Sequence, residues 1–178
     1  MYGIFHVEIQ HYIETRYGRD VWTATLKHAG LKNRIYMTVS NYLDSEVKRI
    51  MKAASEITEV PVETLFVDFG TFAISSLMNT YEPLIDPRWS MADLLLNLED
   101  AVYRVIRTRN PGAQPPRMKF ERAGPNQLRL HYDSPRRMPA LAKGFVIGIA
   151  SYYGEMVEVQ TQENPDGSVD MMITMVQD

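Results

Sequence analysis

The 178-residue chain has no cysteine, which excludes disulfides and thiolate ligation of a metal. Nor has it an excess of positive charge. Nineteen Lys and Arg stand against 22 Asp and Glu, for a formal charge of -3, so no basic field forms for phosphate backbones. Arg104, Arg107 and Arg109 read as the polar face and end of a helix, and no nucleic-acid partner is expected. No apolar run approaches the ~18 residues that span a bilayer, and no basic segment followed by an apolar one opens the chain. A cytoplasmic protein with no membrane partner is therefore expected. Of only four histidines, His11, His28 and His131 have no companion at metal-ligand spacing, so no zinc site is readable. There is no phosphate loop, no nucleophile elbow and no helix-borne carboxylate pair with a histidine between, and Glu99-Asp100 reads as solvated helix surface. Nothing here points to an enzyme.

What the chain does have is the composition of a globular protein, 45% hydrophobic and 23% charged. At this length it buries roughly two-thirds of its unfolded surface, and no repeat or low-complexity linker divides it. One domain, 1–178, is expected. Ile4, Phe5, Ile9, Tyr12, Ile13 and Tyr17 form a wide apolar stripe on a helix over 4–17 that ends at Gly18. Asp20 is placed to cap a second helix reaching Gly30. A third runs over 42–57 with Leu43, Val47, Ile50, Met51 and Ala54 inward. Pro61 and Glu63 open a short helix to Phe69-Gly70, with 71–77 continuing it. The segment 81–89, holding Pro83 and Pro87, is loop-like, and Ser90 caps a helix reaching Arg107.

After the breakers at 110–116 the period becomes two. Met118 and Phe120, then Leu128, Leu130 and Tyr132, predict a hairpin around Gly124-Pro125-Asn126. A helix over 140–153 follows. Val157 and Val159 then pair by pattern with Val169, Met171 and Ile173 across Asn164-Pro165-Asp166-Gly167. The expected fold class is α/β in the α+β sense: a helical lobe over about 1–80, a mixed lobe over about 90–178 with four antiparallel strands, and a ligand between them.

Tyr132, Ser134 and Arg136 stand two apart. On an extended strand they share a face, offering two hydroxyls and a guanidinium to one carboxylate ligand; the plain alternative is the exposed face of an amphipathic strand. Tyr-x-Ser-x-Arg in this setting resembles the propionate-binding motif of the haem-nitric oxide/oxygen binding (H-NOX) family. The resemblance extends to Met1-Tyr2-Gly3, Ala53-Ala54-Ser55-Glu56, Phe69-Gly70 and Pro115-Pro116. It implies the H-NOX fold, a non-enzymatic haem-based nitric oxide sensor, and a partner that is a signalling enzyme such as a histidine kinase or a cyclic-dinucleotide enzyme. By the same resemblance Tyr132, Ser134 and Arg136 hold haem propionates and Pro116 presses on the porphyrin. Phe5, Ile9, Leu141 and Phe145 would form a distal wall with no donor for bound oxygen.

The resemblance places the iron-ligating histidine at Val102, and valine has no lone pair. Three substitutes are open: Tyr103, which on a regular helix points about 100° away; Glu99 or Asp100 after a shift of register; or His6 from the distal side. The expectation divides between a domain that holds haem or a related tetrapyrrole atypically and a haem-free scaffold that docks on a signalling enzyme or binds another amphipathic carboxylate.

Overall fold

Apolar stripes at helical spacing build the first half of the chain. The computed structural model describes residues 1–109 and 116–176. It begins with α1 (Gly3–Tyr17) and α2 (Arg19–His28), followed by α3 (Asp44–Thr58) and α4 (Val62–Tyr81). Gly18, with φ 97°, breaks the chain between α1 and α2, a conformation that suits a residue without Cβ. Asp20 does not cap α2. Gly18 holds the cap position two residues earlier, leaving Asp20 in the first turn, where a carboxylate still complements the helix dipole. Leu43 is also corrected: it precedes α3 and is 69% exposed, while Val47, Ile50, Met51 and Ala54 point inward as expected. The helix opened by Pro61 is not short. It runs 20 residues and takes in 71–77.

After a single 3-10 turn at Glu82–Leu84, Ser90 starts α5 (Met91–Leu98). Ser90 Oγ accepts the Asp93 N–H at 3.2 Å while Asp93 Oδ2 accepts the Ser90 N–H at 3.1 Å, a reciprocal capping box. The helix does not continue regularly. Glu99–Tyr103 form a π turn, in which the Arg104 N–H reaches back to the Glu99 carbonyl, before α6 (Arg104–Arg109). Of the breaker run at 110–116, all but Pro116 lies outside the described residues.

The second half is the expected hairpin, helix and hairpin: β1 (Arg117–Gly124), β2 (Gln127–Asp133), α7 (Pro139–Tyr152), β3 (Met156–Glu163) and β4 (Val169–Val176). The sheet order is β1-β2-β4-β3, antiparallel throughout, with Leu130 opposite Met171 and Val159 opposite Ile173. Leu128, Leu130, Tyr132, Val169, Met171 and Ile173 turn to one buried face, the period-two alternation of a half-covered sheet.

Two apolar cores result. One gathers Ile9, Tyr12, Ile13, Val47, Ile50 and Phe69; the other gathers Leu94, Leu95, Leu98 and the buried sheet face. The expected boundary near residue 80 is crossed by α4, which sends Leu65 and Phe69 into the first core and Ile74 and Met78 into the second. It is joined there by α7. The two helices cross where Gly70 meets Gly144: a Cβ on Gly144 would lie 2.3 Å from the Val67 carbonyl oxygen, and one on Gly70 2.7 Å from that of Leu141. Only glycine permits that approach, which fixes how α7 presents its side chains to the space between the cores.

Candidate functional site: an apolar cavity with a cationic rim

Between the cores lies a cavity of about 180 Å³. It is lined by Phe5 from α1, Ile74 and Met78 from α4, Leu141, Phe145 and Ile149 from α7, and Leu94, Leu98, Val102, Tyr103, Pro116 and Met118. Met1, Tyr2, Asn41, Tyr132 and Arg136 also line it. The walls are hydrocarbon and aromatic, so the polar groups that could orient a ligand are few.

The structure spreads the expected clamp over two kinds of backbone. Tyr132 lies on β2 as expected, but the strand ends at Asp133, and Ser134 to Arg137 form a turn closed by the Arg137 N–H to the Ser134 carbonyl at 3.0 Å. Pro135 suits the second position of such a turn, with its φ already set and no N–H to satisfy. The shared strand face is therefore a correction: Arg136 reaches the rim from a turn. Ser134 Oγ accepts the Arg136 N–H at 3.3 Å, and Ser134 does not line the cavity. Tyr132 Oη accepts the Met138 N–H at 3.1 Å, tying β2 to the start of α7.

Arg136 is itself engaged by a carboxylate. Its Nε donates to Asp44 Oδ2 at 3.0 Å, and Asp44 Oδ1 lies 2.7 Å from the Met1 ammonium. That ammonium also donates to the Tyr42 carbonyl at 2.5 Å. Partial burial pushes the Asp44 carboxyl up, but the ammonium and Arg136 outweigh it and hold the group below the usual carboxylate range. This ion pair ties the first turn of α3 to the turn after β2, across the rim.

Of the other expected residues, Phe5, Pro116, Leu141, Phe145 and Val102 line the cavity. Ile9 does not: it is fully buried in the helical core, where its place on the α1 stripe carries it away from the space between the cores. His6 does not either. Fully buried, it lies against Tyr36 and Tyr42, with ring centroids 4.6 and 5.0 Å away, and neither ring nitrogen has a hydrogen-bond partner. Burial lowers its pKa to about 4. Among the described residues no group of three His, Cys, Asp or Glu could hold a metal ion.

Glu99 and Asp100 stay exposed, so no shift of register brings a carboxylate inward. Tyr103 is different. It lines the cavity together with Val102, on the π turn Glu99–Tyr103. Burial raises its hydroxyl above the ordinary tyrosine value, with Glu99, Tyr132, Arg136 and Tyr81 as its electrostatic neighbours.

Comparison with known proteins agrees with this architecture. The family model for Haem-NO-binding domains matches residues 2–161. The chain belongs to the Haem-NO-binding family, a family of haem-based gas sensors. It is similar to the soluble guanylate cyclase gcy-35 of Caenorhabditis elegans, 22% identical over 98% of this chain and 26% of that protein. It is also similar to the soluble guanylate cyclase 89Da of Drosophila melanogaster, 24% identical over 89% of this chain and 23% of that protein. The chain thus spans about a quarter of the length of these curated relatives. Among solved structures, an H-NOX protein from S. oneidensis in its Fe(II)NO state aligns with a TM-score of 0.90 at 20% identity, covering 99% of this chain and 100% of that one. The Fe(II) unliganded H-NOX protein from K. algicida aligns at 0.87 and 20%, covering 100% and 98%. The mixed fold with a four-stranded antiparallel sheet is that of H-NOX structures.

The cavity meets the requirements of such a haem unequally. Apolar walls with Arg136 and Tyr132 at one edge fit a flat amphipathic molecule bearing carboxylates. An imidazole is not offered: among the described residues no histidine lines the cavity.

Proposed function

We propose that residues 1–178 act as one non-enzymatic sensor or regulatory domain whose cavity takes a haem or related tetrapyrrole. Its carboxylates would lie at Arg136 and Tyr132, and Val102 replaces the usual proximal histidine. The observation that carries this reading is an apolar-walled space lined from both cores, with a guanidinium in its lining, in a chain of the Haem-NO-binding family. Arg136 supplies a charge-assisted donor, Tyr132 a hydroxyl, and Pro116 a rigid edge against the ring. Phe5, Leu141 and Phe145 offer no hydrogen bond, so a polar iron-oxygen unit would not be retained. Similarity to guanylate cyclases supports a signalling enzyme as the partner, of which a histidine kinase or a cyclic-dinucleotide enzyme in the cytoplasm would be one form.

The size of the cavity favours a second reading. About 180 Å³ is near the ~150 Å³ of an apolar cavity that admits benzene and below the ~300 Å³ at which ligand pockets begin. A tetrapyrrole can enter only if the lobes part, which the Asp44–Arg136 pair resists; a domain that never parts is a haem-free docking scaffold. Titration of the purified chain with metal-free protoporphyrin and with haemin separates the two. Stoichiometric binding of either supports the pocket, and binding of neither leaves the scaffold.

A further inference from the structure

We propose that, with its lobes together, this domain admits an uncharged single-ring aromatic molecule to the cavity, and that such an occupant opposes entry of a tetrapyrrole. The inference rests on the reading above that the cavity is the domain's ligand site, and it changes the ligand. A volume of about 180 Å³ is too small for a porphyrin, but it lies near the ~150 Å³ of an apolar cavity that holds benzene. Size alone therefore selects one ring.

The lining selects the kind of ring. Phe5 and Phe145 both line the cavity, with ring centroids 6.2 Å apart, and Phe120 lines it as well. Aromatic walls favour an aromatic occupant, through edge-to-face and offset contacts that add to the gain from buried area. Ile74, Leu94, Leu98 and Ile149 supply hydrocarbon, against which a water molecule finds none of the two to four polar partners it needs. The guanidinium in the lining argues against a charged ligand. Arg136 Nε already donates to Asp44 Oδ2 at 3.0 Å, so a small carboxylate must either take the guanidinium from Asp44 or lie unpaired against hydrocarbon. An uncharged ring leaves that ion pair intact.

The part of the lining that comes from α4 and α7 is fixed before any ligand arrives. A Cβ on Gly144 would lie 2.3 Å from the Val67 carbonyl oxygen, and one on Gly148 2.6 Å from Ile74 Cγ1, so the two helices meet as closely as glycine allows. They carry Ile74, Met78, Leu141, Phe145 and Ile149 into the lining as one unit. A site held in this way loses little freedom on binding. A ring lodged between the two cores keeps its contacts only while the lobes stay together, whereas a porphyrin needs them apart, so each ligand draws the domain away from the form that the other requires. The two exclude one another.

The test titrates the full chain with toluene, with benzoate and with metal-free protoporphyrin, following the thermal midpoint and calorimetric binding. Toluene should bind the wild type at one site and raise the midpoint in a saturable way, because it binds the folded state. Benzoate should bind at least tenfold more weakly, and saturating toluene should weaken protoporphyrin at least tenfold. Val102→Phe places a phenyl ring of the chain's own in the cavity and should reduce toluene affinity at least tenfold. Should that variant not fold, Ile149→Phe fills the space from α7 and is read in the same way; should neither fold, toluene against benzoate in the wild type decides by itself. Benzoate bound as well as toluene, or full toluene affinity in a filled variant, overturns the inference. Protoporphyrin bound without toluene, or undisturbed by it, overturns the inference and leaves the tetrapyrrole pocket standing. Toluene bound without protoporphyrin does the reverse, and binding of neither overturns both.

Discussion

Acid should loosen this protein through His6 before it protonates the carboxylate pairs. His6 is fully buried, its ring lies 4.6 Å from Tyr36 and 5.0 Å from Tyr42, and neither nitrogen is paired. Burial lowers its pKa from 6.5 to about 4, against the opposing pull of Glu46, the Tyr2 backbone and Asp44, with the Met1 ammonium adding to the lowering. The sign follows from linkage. The folded state holds the ring neutral while the unfolded chain takes up a proton near 6.5, so the stability is full above 6.5 and is lost as the pH falls toward 4. At ~1.4 kcal/mol per pH unit for one proton, the loss between pH 7.5 and 4.5 is about 2.5 kcal/mol. For a chain of this size that lowers Tm by roughly 5–10 °C. Asp44 and Glu46, whose folded values lie below those of ordinary carboxylates, lose their contribution only as the pH falls through the carboxylate range, so the upper part of the window belongs to His6. The assay is urea denaturation at half-unit pH steps for the wild type and His6→Phe, which keeps an aromatic ring and removes the titration. The variant should be less pH-sensitive between 6.5 and 4.5 by about 2 kcal/mol. Identical slopes for the two proteins would show that His6 is not the group responsible.

Two further outcomes are expected at the rim and at the helix crossing. Arg136→Ala should weaken any carboxylate-bearing tetrapyrrole by about 2 kcal/mol, but because Asp44 is more than a third exposed, loss of their pair should cost only about 1 kcal/mol of stability. Asp44→Asn should leave tetrapyrrole affinity unchanged or raised; equal losses in both variants, measured by porphyrin titration, would mean that the pair and not the guanidinium is what the ligand needs. Gly144→Ala should destabilise by about 1–3 kcal/mol or more, since the new Cβ meets the backbone oxygen of Val67 at 2.3 Å and the α4–α7 crossing must open. An unchanged thermal midpoint would contradict that crossing.

Most of the elements were legible because their signals are local. The stripe through Ile9, Tyr12 and Ile13, the Ser90 cap and the alternation through Leu128, Leu130 and Tyr132 each act within a few residues, and each is found where the pattern puts it. Leu43 misled because Val47, Ile50 and Met51 already complete the inward stripe of α3, so an apolar neighbour adds nothing that periodicity can weigh. At the site the difficulty is of another kind. Leu94, Leu95, Leu98 and Val102 run at regular helical spacing, so the pattern is satisfied with Val102 inward and gives no sign of the extra residue. The π turn leaves the apolar count unchanged, and it becomes visible only when the Arg104 N–H is seen to reach Glu99. The turn at Arg136 did leave a signal, since Pro135 between Ser134 and Arg136 favours a turn over a continuing strand. The π turn carries Val102 and Tyr103 and the turn after β2 carries Arg136, so both departures from regular geometry fall among residues that line the cavity.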